Sequence, residues 1–184
     1  VDPENARLLD DAISIKQSRD DSSILELGIH IINVAKYVPK GSEFDNFARE
    51  RGISVYPGCI GTLAPIDMLP GSFRENLSLL PSRKHCVFSL VLKVKIQEQN
   101  VTIVSDPEIS ETVVESVLQL TYEKAQEVID TDIVPDGAAL FEEKNLISLK
   151  QALKSLYLIS CHLRKNRLDN NDSRFVYDVS DPGE

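Results

Sequence analysis

Val1–Ile15 reads VDPENARLLDDAISI, and the way this stretch is understood decides the fold. Asp2, Glu4, Asp10 and Asp11 put four carboxylates into ten residues. Pro3 and the acidic residues deny residues 2–11 a periodic pattern, so they read as a loop. Ala12–Lys16 follows, apolar and β-branched, and then the polar turn Ser18–Ser23. In Ile24–Ile32, Leu25, Leu27, Ile29 and Ile31 alternate with other residues. A period of two marks a half-buried strand, and two such runs around a polar turn predict a hairpin.

Carboxylates this close repel one another unless a cation or hydrogen-bond donors offset the charge. Mg²⁺ is the natural counter-charge, with Mn²⁺ as a substitute. It prefers oxygen, takes one or two carboxylates, and leaves its other positions to water and phosphate. An ion held this way polarises a phosphoryl oxygen and acidifies an attacking water, which suits phosphodiester hydrolysis. Taken alone, the spacing fits a solvated acidic loop better.

Outward from this stretch, Gly41-Ser42 precedes a predicted helix over Glu43–Arg51, ended by Gly52. Ser54–Tyr56 is a short extended piece. Prolines and glycines make residues 58–81 loop-rich, with room for one helical turn. Strands are predicted at Cys86–Gln97 and Val101–Ser105, with a further extended run at Thr112–Leu118. Thr121 is a suitable N-cap for a helix over Tyr122–Asp130. Asn145–Arg167 is the clearest helix, because Leu146, Leu149, Leu153, Leu156 and Leu163 define one apolar face. A last strand is expected at Arg174–Val179. Strands come early and helices late, which places the chain in the α+β class.

The 184 residues suit one domain or part of a larger one. The chain opens at Val1 with its strongest motif beginning at Asp2, as expected of a segment of a longer protein. Its net charge is −9, whereas nucleic-acid binders usually carry a basic surface. That balance argues against an RNA partner unless the carboxylates bind metal or face outward, with other domains of the same chain delivering the RNA. Cys59, Cys86 and Cys161 form no CxxC pair, which argues against zinc and fits a reducing compartment, cytoplasm or nucleus. No apolar run approaches the roughly 20 residues that cross a bilayer, so no membrane partner is expected.

VDPENARLLDDAISI resembles the signature DPxxARDLDDA of the RNB domain, the metal-dependent 3′→5′ exoribonuclease module of the ribonuclease II, ribonuclease R and Dis3 families. LGIHIINVAKYVPKGSEFDNFARERGISVY is similar to the family's GVHIADVSHYVxPGSxLDxxARxRGTSVY. MLPGSFRENLSLLP is similar to MLPxxLSxxLCSLxP, and VLQLTYEKAQEVI to SxARLTYxxVQ. These matches are collinear over residues 2–129, and SRFVYDV agrees more weakly in the same order. DNFARERG and HLRKNRL also resemble the RNB segment of a vertebrate helicase with zinc fingers, a nuclear-receptor coactivator.

The resemblance implies an RNB-type mixed sheet with packed helices, residues 1–184 being the N-terminal half of the domain. It implies Mg²⁺ at Asp2 and Asp11, with Asp10 positioning the metal or the attacking water as the catalytic carboxylate. A fourth signature aspartate is replaced by Leu8, which cannot ligate a cation, and the aspartate of the family's HIADV is Asn33. Tyr56 matches a tyrosine that stacks near the RNA 3′ end, and Phe175 an aromatic clamp on the terminal nucleotide. Arg83, Lys84 and His85, and the cluster Arg164, Lys165 and Arg167, are candidate phosphate contacts. His30 and His162 are expected to be structural. The implied partner is the 3′ end of single-stranded RNA.

Three functions follow as expectations. One is hydrolytic release of nucleoside 5′-monophosphates by the full-length parent. Later active-site elements of the family lie past Glu184, so the segment alone is expected to be inactive. The second is a degenerate module that binds RNA or protein without cutting, which Leu8 and Asn33 favour. The third is an acidic interaction surface for transcription factors.

Overall fold

The computed structural model describes residues 1–4, 6, 8–57, 64–131, 133, 135–145 and 147–169. Five strands form one sheet: β1 (Asp11–Gln17), β2 (Ile24–Ile32), β3 (Lys84–Gln97), β4 (Asn100–Ile103) and β5 (Glu108–Glu115). Their order is β1-β2-β3-β4, with β5 also paired to β3. All pairings between these strands are antiparallel, while Asp2↔Thr121 and Pro81↔Ser116 make isolated parallel bridges. The expected β1–β2 hairpin is present, with Ile15 opposite Leu27 and Ile13 opposite Ile29.

The helices are α1 (Glu43–Arg51), α2 (Tyr122–Asp130), α3 (Ala138–Asn145) and α4 (Leu149–Asp169). Ser42 caps α1 by accepting the Asp45 N–H, and Gly52 ends it with φ of 74°, a backbone that side chains resist. Thr121 caps α2 by accepting from Lys124. The turn anticipated in the loop-rich region is a single 3-10 turn, Gly71–Phe73.

Several predicted boundaries move. β3 starts at Lys84 rather than Cys86, and β4 ends at Ile103 rather than Ser105. The run expected at Thr112–Leu118 is β5, shifted back to Glu108–Glu115 because its partners on β3 run from Lys84 to Val91. The final helix begins at Leu149, not Asn145, because Ser148 accepts the Gln151 N–H through its hydroxyl at 3.2 Å. The strand expected at Arg174–Val179 lies outside the described residues.

One face of the sheet carries Ile15, Leu25, Leu27 and Val94, which pack with Val101, Ile147, Ala152 and Ile159. α4 thus closes that half of the sheet. Leu149 and Leu153 of the same helix join Leu120, Ala125, Val128 and Ala138 in a second cluster. On the opposite face Ile32, Val87, Leu77 and Leu79 form a third. Among the described residues, no helix is long and apolar enough to cross a membrane.

Candidate active site

β1 is an edge strand, and a cavity of about 460 Å³ runs along it. Its lining includes Asp2, Leu9, Asp11–Lys16 and the chain that leaves β5 towards α2. Two local features bring the acidic stretch here. The Asp2 N–H donates to the Leu120 carbonyl at 3.1 Å, tying the start of the chain to the base of α2. Asp11 opens β1 and pairs with Ile31. Between them, Leu9 is buried, and its N–H reaches the Ser78 hydroxyl at 3.4 Å.

Leu9 and Asp11 line the cavity, whereas Leu8 and Asp10 do not. Leu8 is exposed, and Asp10 is exposed with its carbonyl accepting the Ile32 N–H at 2.9 Å. Successive side chains of an extended backbone point to opposite sides, so neighbouring aspartates cannot share one direction. Asp2 and Asp11 therefore share the cavity, and Asp10 is set apart from them.

Among the described residues, no three His, Cys, Asp or Glu side chains gather as a group that could hold a metal ion. The expected trio of Asp2, Asp10 and Asp11 is thus not assembled, and Leu8 adds no donor. Asp2 and Asp11 both line the cavity, and one or two carboxylates are the donors Mg²⁺ takes when water and phosphate complete its shell. Asp2 and Asp11 fit that water-rich arrangement and not a closed cage.

Next to these carboxylates lies a polar chain that the sequence alone did not reveal. His30 Nε2 is 2.8 Å from Ser14 Oγ, and His30 Nδ1 is 2.7 Å from Ser89 Oγ. Ser89 Oγ in turn is 2.5 Å from Thr112 Oγ1. Four strands are stitched together this way, and Ser14 and His30 line the cavity. Burial pushes the His30 pKa down, so the ring is neutral, with one nitrogen donating and the other accepting. The expectation that His30 is structural agrees with these partners. Lys16 and Lys144 also line the cavity. Neither was singled out from the sequence, since lone lysines carry no motif.

The other candidates lie elsewhere. Tyr56 is exposed beside the Val55–Ile66 bridge and does not line the cavity. Arg83 and Lys84 are exposed at the start of β3, with Arg83 3.5 Å from the Glu75 carboxylate. Arg164, Lys165 and Arg167 are exposed on the last turns of α4. His85 is corrected: it is buried, and burial together with the Arg83 charge lowers its pKa, so it presents no cation to a phosphate. Phe175 lies outside the described residues.

Comparison with known proteins places the chain in a family. The family model "RNB domain" covers residues 1–180. The chain is 34% identical over 179 residues to "DIS3-like exonuclease 2" of Xenopus tropicalis, spanning 95% of this chain and 20% of that protein. It is 39% identical over 171 residues to "3'-5' exoribonuclease HELZ2" of Homo sapiens, spanning 91% of this chain and 5% of that protein. "Inactive exonuclease DIS3L2" of Arabidopsis thaliana is 30% identical over 189 residues, spanning 97% of this chain and 17% of that protein. Mycoplasma genitalium ribonuclease R, solved with ribose-methylated single-stranded RNA, superposes with a TM-score of 0.67 at 21% identity, covering 90% of this chain and 23% of that one. The chain spans about a fifth or less of each of these curated relatives. It belongs to the RNB-domain family of 3′→5′ exoribonucleases.

Proposed function

We propose that this chain forms part of the RNA-degrading centre of a larger 3′→5′ exoribonuclease, with Asp2 and Asp11 as its metal-holding carboxylates. The observation that carries this reading is that Asp2 and Asp11 both line one cavity within an RNB-family fold. A divalent ion bound there would polarise a phosphoryl oxygen and acidify water for hydrolysis. The chain's own contribution is positional. The Asp2 backbone bond to Leu120 and the pairing of Asp11 in β1 hold both carboxylates on a rigid edge. Lys144 also lines the cavity and is a cation a phosphate could meet there, whereas Lys16 is paired with Glu26 at 2.9 Å. Single-stranded RNA entering by its 3′ end is the substrate this reading assigns, and Tyr56 offers an exposed ring for a base to stack on.

The test is decay of 5′-labelled single-stranded RNA by the full-length parent in Mg²⁺, compared with its Asp11→Asn variant. Loss of product ladders in the variant is expected. Equal decay in both forms would remove Asp11 from the chemistry.

A second reading is favoured by Leu8 and by the separation of Asp10 from the other two carboxylates. In it, the module holds RNA without cutting. A silent parent that gains cleavage on Leu8→Asp substitution supports this alternative, and a parent that already cleaves well excludes it.

A further inference from the structure

α4 reads LKQALKSLYLISCHLRKNRLD, with five cations against the one carboxylate of Asp169. The whole chain carries −9, so this helix is a basic element in an acidic protein. Its inner face is apolar: Leu149, Leu153 and Leu156 line the cavity, and Ala152 and Ile159 are buried under it. Lys154, Tyr157 and Cys161, with Arg164 and Lys165 beyond them, stand three or four residues apart, so they share the opposite face. All five are exposed. Among the described residues, no carboxylate pairs with Lys154, Arg164 or Lys165. The helix dipole favours cations in a last turn, which accounts for Arg164 and Lys165. Lys154, in the second turn, gains nothing from it. Between the cations, Tyr157 is 63% exposed, and its hydroxyl donates to the Cys161 sulfur.

We infer that the outer face of α4 is a second RNA contact, separate from the cavity, in which Lys154, Arg164 and Lys165 meet phosphates and Tyr157 stacks a base. The charge selects a polyanion, because the face offers cations with no acid of its own to satisfy them. The exposed ring among those cations selects a single strand of nucleic acid over an acidic protein segment. Single strands are held by cations along the backbone and by aromatic rings under the bases. Lys154 and Lys165 are about 16 Å apart along the axis, at 1.5 Å per residue, so the face spans several nucleotides and not one ion. A helix is about 10–12 Å across with its side chains, so a strand on this face is outside the cavity that α4 lines. This inference rests on reading the chain as part of an RNA-degrading protein, and it adds a strand path to that reading.

The experiment measures binding of single-stranded RNA to the full-length parent without divalent metal, so that cleavage does not enter. The variant Lys154→Ala, Arg164→Ala, Lys165→Ala removes three cations and leaves strong helix formers in their place. A matched control removes three exposed lysines elsewhere, Lys40→Ala, Lys93→Ala and Lys124→Ala. The α4 variant is expected to weaken binding by about tenfold or more at low salt and to lower the salt slope by about 2, with the control unchanged. Equal losses in both would overturn the inference, since they would report net charge alone. Unchanged binding in the α4 variant would overturn it too and leave the face to an acidic protein surface. The unsubstituted parent gives a second measurement that no folding defect can confuse. Alkylation of Cys161, read by the mass of its peptide, is expected to slow about tenfold with RNA at about ten times its Kd. An unprotected Cys161 in a parent saturated with RNA, or a parent that binds no RNA, would also overturn the inference. A parent that binds and protects Cys161 but never cleaves would sink the hydrolytic reading and leave this one standing.

Discussion

The side-chain amide of Asn33 donates to the Glu111 carboxylate at 3.0 Å, joining the end of β2 to β5. Asn33 is 2% exposed, and its backbone N–H is bonded to the Cys86 carbonyl. The family pattern has aspartate here, but in this chain a carboxylate at position 33 would face Glu111 directly. Lys36 is the cation beside Glu111, at 3.8 Å and half exposed, so it would offset little of that repulsion. Asn33→Asp is therefore expected to destabilise the fold by about 2 kcal/mol or more, through a buried charge and a lost donor. Adding Glu111→Gln should recover much of the loss. Urea unfolding of the single and double variants measures both, and additive losses would show that the two residues are not coupled.

Gly28 lies opposite Ser14, and a methyl group at its Cβ position would stand 2.5 Å from Ser14 Oγ and 2.7 Å from His30 Nε2. Neither group can retreat freely, because each holds the other and His30 is also held by Ser89. Gly28→Ala should cost about 1–3 kcal/mol, the range for overpacking or for an orphaned buried polar group. Chemical denaturation with an unchanged slope and a lower midpoint is the expected record.

His30 and His85 both have pKa values lowered chiefly by burial, from an ordinary value of 6.5. Each is neutral in the native state, while the unfolded chain takes up a proton as pH falls through that value. The unfolded state then binds more protons, so stability declines with falling pH until the native pKa is passed. The lowered carboxylates Asp21, Asp45 and Glu123 act in a separate window, since their contribution is lost only as pH falls below the ordinary carboxylate range. Denaturation midpoints should fall between about pH 7.5 and 5.5, with a shallower decline in His30→Gln. An identical decline in that variant would show that His30 plays no part.

How much of this was legible depends on whether a residue's surroundings are local. β2 announced itself because its alternation places Leu25 and Leu27 under α4. α1 and α2 announced themselves because Ser42 and Thr121 are caps that act within three residues. The start of α4 was misplaced because the residues before it were read for apolar spacing rather than for the Ser148 cap. α3 was missed: it has eight residues, and its apolar side chains do not gather on one side. β5 was misplaced because Ile109 and Val113 are exposed, so no half-buried pattern marks its start. The acidic motif was legible as a motif, but its geometry was not. Which aspartates share a cavity is set by Leu120 and Ile31, distant in sequence from Asp2 and Asp11.

Leu8 is 38% exposed and makes no part of the three apolar clusters. Leu8→Asp should therefore change stability by no more than about 0.5 kcal/mol, as is usual for surface sites. That matters for the functional test, because a gain of activity in the parent could then be read as chemistry and not as refolding. Thermal unfolding of the substituted chain checks the premise, and a large drop in melting temperature would void it.

Substitution at Tyr56 tests RNA binding separately from cleavage. Its side chain is 65% exposed, follows the Val55–Ile66 bridge, and belongs to none of the apolar clusters. Truncating it should leave the fold intact, so any effect on RNA reports a contact. Base stacking on an aromatic ring contributes about 1–3 kcal/mol per base, and every base has a face to offer. Tyr56→Ala in the parent is accordingly expected to weaken single-stranded RNA by about 5- to 150-fold at constant salt, while Tyr56→Phe retains most of the affinity. A stacking role also predicts little change in the salt dependence of binding, because no phosphate contact is lost. If Phe binds as weakly as Ala, the hydroxyl and not the ring makes the contact. If both bind like the unsubstituted protein, RNA passes this tyrosine by.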